Sequence, residues 1–312
     1  MIVADGLSPI PLAGGTHGAA VTVGTFDGVH RGHQDVIRRL VALAERERLT
    51  SVVVTFDPHP LEIVNPSAAP SLLTTREEKL DALRATGVQV VAVVPFTPEL
   101  AALSAEAFVD DVLRARCHLA ALLIGHDHGF GRDRMGDAAV LQALGHARGF
   151  SVELVAPVQG SEGYAVSSTA IRRAVAGGDL ARAADGLGRW YEVSGTVVHG
   201  DKRGRALGYP TVNLAPLSPR KLLPPDGVYA VQVAFPDAEY GGMLNLGGRP
   251  TWSEAERRLE AHVFDAAGDW YGQPVTIRFR KRLREVRRFA DAEALQAQLA
   301  VDEAVARAAL VP

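Results

Sequence analysis

Ala20-Val21-Thr22-Val23-Gly24-Thr25-Phe26-Asp27-Gly28-Val29-His30-Arg31-Gly32-His33 holds a strand, a turn and a helix start in direct succession. The apolar, β-branched run from Ala20 to Val23 stops at glycines. After His33 the apolar spacing becomes helical, with Val36, Ile37, Leu40, Leu43 and Ala44 on one face. A strand that turns straight into a helix aims free backbone N–H groups and a positive dipole end at one point, where phosphates bind. His30 stands just before that helix and His33 in its first turn, beside Gly24, Phe26 and Gly32.

Outward from this stretch, strands and helices alternate. A helix over 33–48 leads to Ser51-Val52-Val53-Val54-Thr55-Phe56, a buried strand stopped by the prolines of Asp57-Pro58-His59-Pro60. Thr75-Arg76-Glu77-Glu78 has capping-box spacing. A strand over 89–94, a helix over 104–116 and a strand over 120–124 follow. Asp137 can cap the next helix, which ends near Gly149, and a strand over 151–156 closes the series. This alternation predicts a parallel sheet with crossover helices, whose ligands bind beyond the strand C-terminal ends. Residues 7–18 read as an irregular lead-in. His59, the loop Gly125-His126-Asp127-His128-Gly129-Phe130-Gly131, and Ser167-Ser168-Thr169-Ala170-Ile171-Arg172 all fall on that rim.

The texture changes near Gly186-Leu187-Gly188-Arg189. Short alternating runs at 192–198, 229–235, 242–246, 259–264 and 275–279 predict an antiparallel barrel or sandwich. An amphipathic helix over 291–310 closes the chain, with Leu295, Leu299, Val305 and Ala309 as its buried positions. Two domains, 1–187 and 188–312, are expected.

Composition narrows the function classes. The chain has 312 residues, 47% hydrophobic, with a net charge of −3. That length and apolar content support packed cores, and the mild acidity speaks against a general nucleic-acid binder. The single cysteine, Cys117, cannot form an internal disulfide and reads as a core residue. No apolar run reaches the length of a membrane span, so a cytoplasmic protein is the expectation. Nothing in the sequence signals an oligomeric state.

Taken alone, His30-x-x-His33 leaves three options open: phosphate binding, a zinc site lacking its further ligands, or a structural cap. The surroundings weigh on that choice. His-x-Gly-His after a strand, with Ser-Ser-Thr-x-x-Arg late in the same α/β segment, resembles the nucleotidylyltransferase superfamily. The longer string Gly24–His33, with Thr55-Phe56-Asp57-Pro58-His59-Pro60 and Ser167-Ser168-Thr169, resembles the FAD synthetase module of bacterial bifunctional riboflavin kinase/FAD synthetases. The resemblance implies a Rossmann-like nucleotidylyltransferase domain that joins FMN to the α-phosphate of ATP. FMN's phosphate is already an anionic nucleophile, so alignment and charge stabilisation suffice. His30 and His33 supply N–H donors, while Arg172, Ser168 and Thr169 clamp the triphosphate. By resemblance, His59, Asp127 and Phe130 border the flavin. Mg²⁺ is expected to arrive with ATP. One departure is visible: His128 stands where the family loop Gly-x-Asp-Phe-x-Phe-Gly has its first Phe.

The second half carries its own set. Gly200-Asp201-Lys202-Arg203-Gly204-Arg205-Ala206-Leu207-Gly208-Tyr209-Pro210-Thr211-Val212-Asn213-Leu214 lacks Walker spacing and alone reads as a basic hairpin. Its end resembles the riboflavin kinase signature Pro-Thr-Ala-Asn, with Val212 for Ala. The alternation puts Thr211 and Asn213 on one strand face, where two neutral oxygens can hold a hydrated Mg²⁺. Gly204 and Arg205 then belong to an ATP loop. Gly247-Gly248-Arg249-Pro250-Thr251-Trp252 resembles the family's Gly-x-Arg-Pro-Thr-Phe and marks Arg249 for the flavin. Leu259-Glu260-Ala261-His262-Val263-Phe264-Asp265 resembles Leu-Glu-x-His-x-Phe-Asp, and Asp269, Tyr271 and Gly272 extend the match. Glu260 reads either as an outward salt-bridge residue or, with the resemblance, as the base for the ribityl 5′-hydroxyl. Ala266 and Val286 depart from the family's Phe and acid. The implied protein is a riboflavin kinase and FMN adenylyltransferase acting on riboflavin, FMN, FAD and ATP. The alternative is an FMN adenylyltransferase whose barrel is catalytically weak or only senses flavin.

Overall fold

The computed structural model describes residues 1–6, 8–125, 137–200, 204, 207–215, 217–248, 257–266 and 268–311. They divide into two units, Met1–Ser168 and Thr169–Pro312.

In the first unit the order is β1 (Ile2–Asp5), β2 (Ala19–Val23), α1 (Arg31–Glu47), β3 (Thr50–Asp57), α2 (Pro60–Val64), α3 (Arg76–Arg84), β4 (Val90–Pro95), α4 (Pro98–Ala101), α5 (Ala105–Ala107), β5 (Leu119–Gly125), α6 (Ala138–Arg148) and β6 (Ser151–Val155). Six strands form one sheet in the order β1-β4-β3-β2-β5-β6, every pair parallel. The sequence pattern predicts five of them. The sixth, β1, is short and half exposed on the sheet edge, so it carries no alternation to read. Inner strands are covered on both faces, which explains their unbroken apolar runs. Ala20, Val53, Val91 and Leu123 pack against Ile37 and Leu40 of α1 and Leu80 and Leu83 of α3. Val21, Val52, Val54 and Leu122 pack on the opposite face with Phe108, Val112 and Leu141.

Caps fall where the side chains dictate. Thr75 and Glu78 form the capping box of α3, and Asp137 accepts from Val140 N at the start of α6. Gly149 ends α6 in the left-handed conformation. Helix α1 starts at Arg31, two residues before the expected start, because His30 caps it. The single helix expected over 104–116 is instead α5 followed by a π-helical segment, Phe108–Arg114, in which Ala115 N bonds to Asp110 O. The wider turn buries Phe108, Val109, Val112 and Leu113 together. Cys117 is buried in the following turn, where desolvation pushes its thiol up to about 12.

In the second unit α7 (Ser168–Gly177), which begins on the last residue of the first unit, and α8 (Leu180–Leu187) precede β7 (Glu192–Val198), β8 (Thr211–Leu214), β9 (Gly227–Ala234), β10 (Glu239–Gly248), β11 (Arg257–Val263), β12 (Pro274–Arg284) and α9 (Ala292–Leu310). The strands close into a barrel, β10-β11-β8-β7-β12-β9, with antiparallel neighbours. Of the two all-β options the barrel is the one formed. Tyr229, Leu244, Leu259, Ala261, Ile277 and Phe279 are among its fully buried side chains. On α9, Leu299, Ala306, Ala309 and Leu310 join a cluster with Ala230, Met243 and Phe264. Val305, expected to be buried, is exposed. The buried face of α9 is turned toward Asp302, whose carboxylate takes Arg284 Nε at 3.0 Å and a terminal guanidinium nitrogen at 2.6 Å. Val305 lies about 100° round the helix from Ala306 and about 120° from Leu299, at the margin of the buried face.

Candidate active sites

Where β2 ends, the backbone winds tightly. Phe26, Gly28 and Val29 have φ of 49°, 83° and 40°. Glycine adopts such angles freely, but Phe and β-branched Val are strained there, and the surroundings must hold them. The hold is visible. Phe26 and Val29 are buried in the core under α1, and Val29 N closes a turn on Phe26 O at 3.0 Å. The Asp27 carboxylate, also buried, accepts from Leu73 N and Thr74 N at 3.0 Å each and from Thr74 Oγ1 at 3.1 Å. Thr74 Oγ1 in turn accepts from Gly28 N at 3.0 Å. Asp27 thus bolts the turn to the segment that leads into α3. Its place in the quoted string was plain, but no sequence signal assigns it this task.

His30 is the N-cap of α1 and is itself buried. Its Nδ1 accepts from His33 N at 3.3 Å, so the neutral ring carries its proton on Nε2 and presents a donor. The two imidazoles stack with centroids 3.6 Å apart, and Phe26 meets the His33 ring edge-on at 5.0 Å. Gly32 gives this pair its room: a Cβ there would stand 3.1 Å from His30 Cε1. At Gly24 a Cβ would meet the Phe26 ring at 3.2 Å. Ser168, the last residue of the first unit, donates from Oγ to Asp27 O at 2.9 Å in the same turn; Thr169 and Arg172 follow it in α7.

His59 repeats the device at the end of β3. It caps α2, with Nδ1 accepting from Leu61 N at 3.2 Å, while its own N–H donates to Glu62 Oε1 at 3.2 Å. Its ring again carries its proton on Nε2. His59, Thr25, Asp27, Thr74 and Lys79 line one small polar pocket. Lys79 and Arg76 were not singled out by sequence, because a lysine and an arginine on a charged helix read as solvated. Asp127 and Phe130 lie outside the described residues.

In the barrel the site is made by register. Asn213 of β8 stands opposite Glu260 of β11, and Thr211 opposite His262. Directly paired residues share a face and lie within side-chain reach. Val212 is buried opposite Ala261, on the other face, as its alternation requires. His262 Nδ1 donates to Pro210 O at 2.7 Å, which fixes its ring beside Tyr209. Gly200 forms a roof: a Cβ there would stand 2.3 Å from Asn213 Nδ2. Gly204 accepts at its carbonyl from Tyr209 N at 2.9 Å and leaves no space for a Cβ, which would meet Tyr209 O at 2.2 Å. Gly200 and Gly204 therefore lie against Asn213 and Thr211. The Tyr271 ring lies tilted against that of His199, centroids 3.7 Å apart, beside that roof, and Gly272 N donates to Val197 O at 2.9 Å. Arg205 and Arg249 lie outside the described residues. Sequence reasoning missed Gly200, whose need for hydrogen in place of a side chain depends on a neighbour outside its own segment.

Comparison with known proteins agrees with both halves. The FAD synthetase family model matches residues 14–170, and the riboflavin kinase family model matches residues 187–310. A protein of Escherichia coli (strain K12), described as a bifunctional riboflavin kinase/FMN adenylyltransferase, is 40% identical over 291 residues, 93% of this chain and 92% of that one. A Pseudomonas fluorescens protein with the same description is 40% identical over 296 residues, covering 95% and 94%. Among solved structures, a Streptococcus pneumoniae protein described as a macrolide-efflux protein superposes with a TM-score of 0.87 at 32% identity, covering 98% of this chain and 99% of that one. No helix among the described residues of this chain is long and apolar enough to cross a membrane.

Proposed function

The chain belongs to the family of bifunctional riboflavin kinase/FMN adenylyltransferases, and from that premise we propose which residues carry each of its two reactions. It phosphorylates riboflavin to FMN and adenylylates FMN to FAD. The reading with a weak or merely sensing barrel is not favoured, since the kinase family model matches residues 187–310 and the relatives are described by both activities.

We assign adenylyl transfer to residues 1–187. FMN's phosphate oxygen attacks the α-phosphate of ATP, a P–O bond forms, and pyrophosphate leaves with the electron pair of the bond it breaks. No proton need be removed from the nucleophile. The work is charge stabilisation, and the Nε2–H donor of His30 and the His33 imidazole stacked on it at the start of α1 suit it. Gly24, Phe26 and Gly32 shape the turn. Ser168, Thr169 and Arg172 complete the triphosphate clamp, and His59, Asp127 and Phe130 border the flavin.

Phosphorylation belongs to residues 188–312. Glu260 takes the ribityl 5′-hydroxyl proton as that oxygen attacks the γ-phosphate, and ADP leaves. Thr211 and Asn213 fit a Mg²⁺ ion: both present neutral, hard oxygen atoms on one strand face with a carboxylate opposite. Bound there with ATP, the ion would neutralise phosphate charge. Gly204 and Arg205 flank the nucleotide and Arg249 the flavin. The carrying observation is the cross-strand pairing of Glu260 with Asn213, which sets a base beside a cation-binding pair. Riboflavin, FMN, FAD and ATP are the expected partners, in the cytoplasm where ATP is plentiful.

The test is product analysis after mixing the protein with riboflavin, ATP and Mg²⁺. FMN and then FAD should form, with one ADP and one pyrophosphate per FAD, and chelation of Mg²⁺ should stop both steps. Formation of FAD from added FMN without any FMN from riboflavin would overturn the kinase assignment.

A further inference from the structure

Strand β3 outruns its neighbour. β2 pairs with β3 only as far as Val23 opposite Val54, where Gly24 N donates to Val54 O at 3.0 Å. On its other side β3 continues alongside β4 to Asp57. Carbonyls two residues apart on a strand point to the same side, so Phe56 O faces the gap left where β2 curls into the histidine turn. Lys79, on α3 and buried, fills that gap. Its Nζ donates to Phe56 O at 3.0 Å and to Thr55 Oγ1 at 3.3 Å. The Thr55 hydroxyl spends its single proton on Thr25 O at 3.0 Å, inside the turn.

A buried ammonium bonded to a carbonyl and a hydroxyl rather than to a carboxylate is an expensive way to satisfy a strand end. Packing alone would favour Leu or Met on this helix face. We propose that Lys79 is a positioning residue for adenylyl transfer: its bonds to Thr55 and Phe56 lock the end of β3, and His59 beyond it, at a fixed distance from the His30–His33 turn. Burial pulls the ammonium below the ordinary lysine range, while Asp57 at the end of β3 and Asp27 in the turn act in the opposite direction and Arg76 on α3 adds to the lowering.

The inference rests on placing adenylyl transfer at the histidine turn, so His33→Ala is run beside it. The full chain supplies its own control, because riboflavin phosphorylation uses the other unit. Lys79→Met should lower kcat for FMN-to-FAD conversion by about 10- to 100-fold, as misplacement of reacting groups does, while changing KM for ATP less than about twofold. Riboflavin phosphorylation should stay unchanged. The wild-type FAD-forming rate should fall at alkaline pH as Lys79 gives up its proton, and that fall should be absent in Lys79→Met, a change that mere loosening of the fold does not produce. Thr55→Val keeps the shape and removes only the relay; it should lower kcat in the same direction, and the double variant should be no worse than Lys79→Met. This second variant decides the matter if Lys79→Met fails to fold. Unchanged kcat in Thr55→Val, or an unaltered pH profile in a folded Lys79→Met, overturns the role of Lys79. Normal FAD formation by His33→Ala would instead overturn the reading of the turn.

Discussion

The two units hold their functional side chains by opposite means. In the parallel sheet, His30, His33 and His59 sit beyond strand ends; His30 and His59 owe their orientation to bonds between side chain and backbone, and the His33 ring packs between His30 and Phe26. In the barrel, Glu260, Asn213 and Thr211 sit within strands, and register alone brings them together. A site built beyond strand ends depends on pins such as Asp27, which reach across the sequence to hold the turn. A site built in strands depends on what covers it, as Gly200 covers Asn213. The first is damaged by loss of a bond, the second by gain of an atom.

Three substitutions put pressure on this contrast. Glu260→Gln keeps the register and removes the base, so FMN formation should fall by about 10²- to 10⁴-fold in a steady-state assay, with FAD formation from added FMN intact. Equal loss of both reactions would mean that the two sites are not separate. Asp27→Ala strips the acceptor from two buried amides and a hydroxyl and should destabilise the first unit by about 2–4 kcal/mol in denaturant unfolding. Riboflavin phosphorylation should persist after FAD formation is lost. Gly200→Ala adds one methyl against the Asn213 amide and should slow phosphorylation by about tenfold while leaving FAD formation and its pH profile untouched. A neutral result there would show that the roof moves aside during turnover.

Much of this was legible because local chemistry and global fold agree. The Gly24–His33 string announces a strand, a turn and a helix start, and Thr75 and Asp137 cap the helices that follow them. Five barrel strands announce themselves by alternation. What escaped has physical reasons. β1 is too short and too exposed to alternate, and the π-helical turn at Phe108–Arg114 is a backbone choice that leaves the apolar pattern helical. Val305 looks like a core residue because it is apolar, but it lies about 100° round α9 from Ala306, at the margin of the face that buries Ala306 and Asp302. Lys79 and Gly200 take their meaning from residues distant in sequence, Phe56 and Asn213, which no local pattern exposes.

The open sheet has a liability that the closed barrel lacks. A barrel has no strand edge to offer, whereas a sheet ending in β1 and β6 presents two rows of backbone groups on which another chain can add a strand. β1 carries exposed Ile2 and β6 exposed Leu154, with the charge of Glu153 as a partial guard. On storage or at high concentration, clumping should therefore start from the adenylyltransferase half. A lysine at Leu154 would be the economical remedy for shelf life.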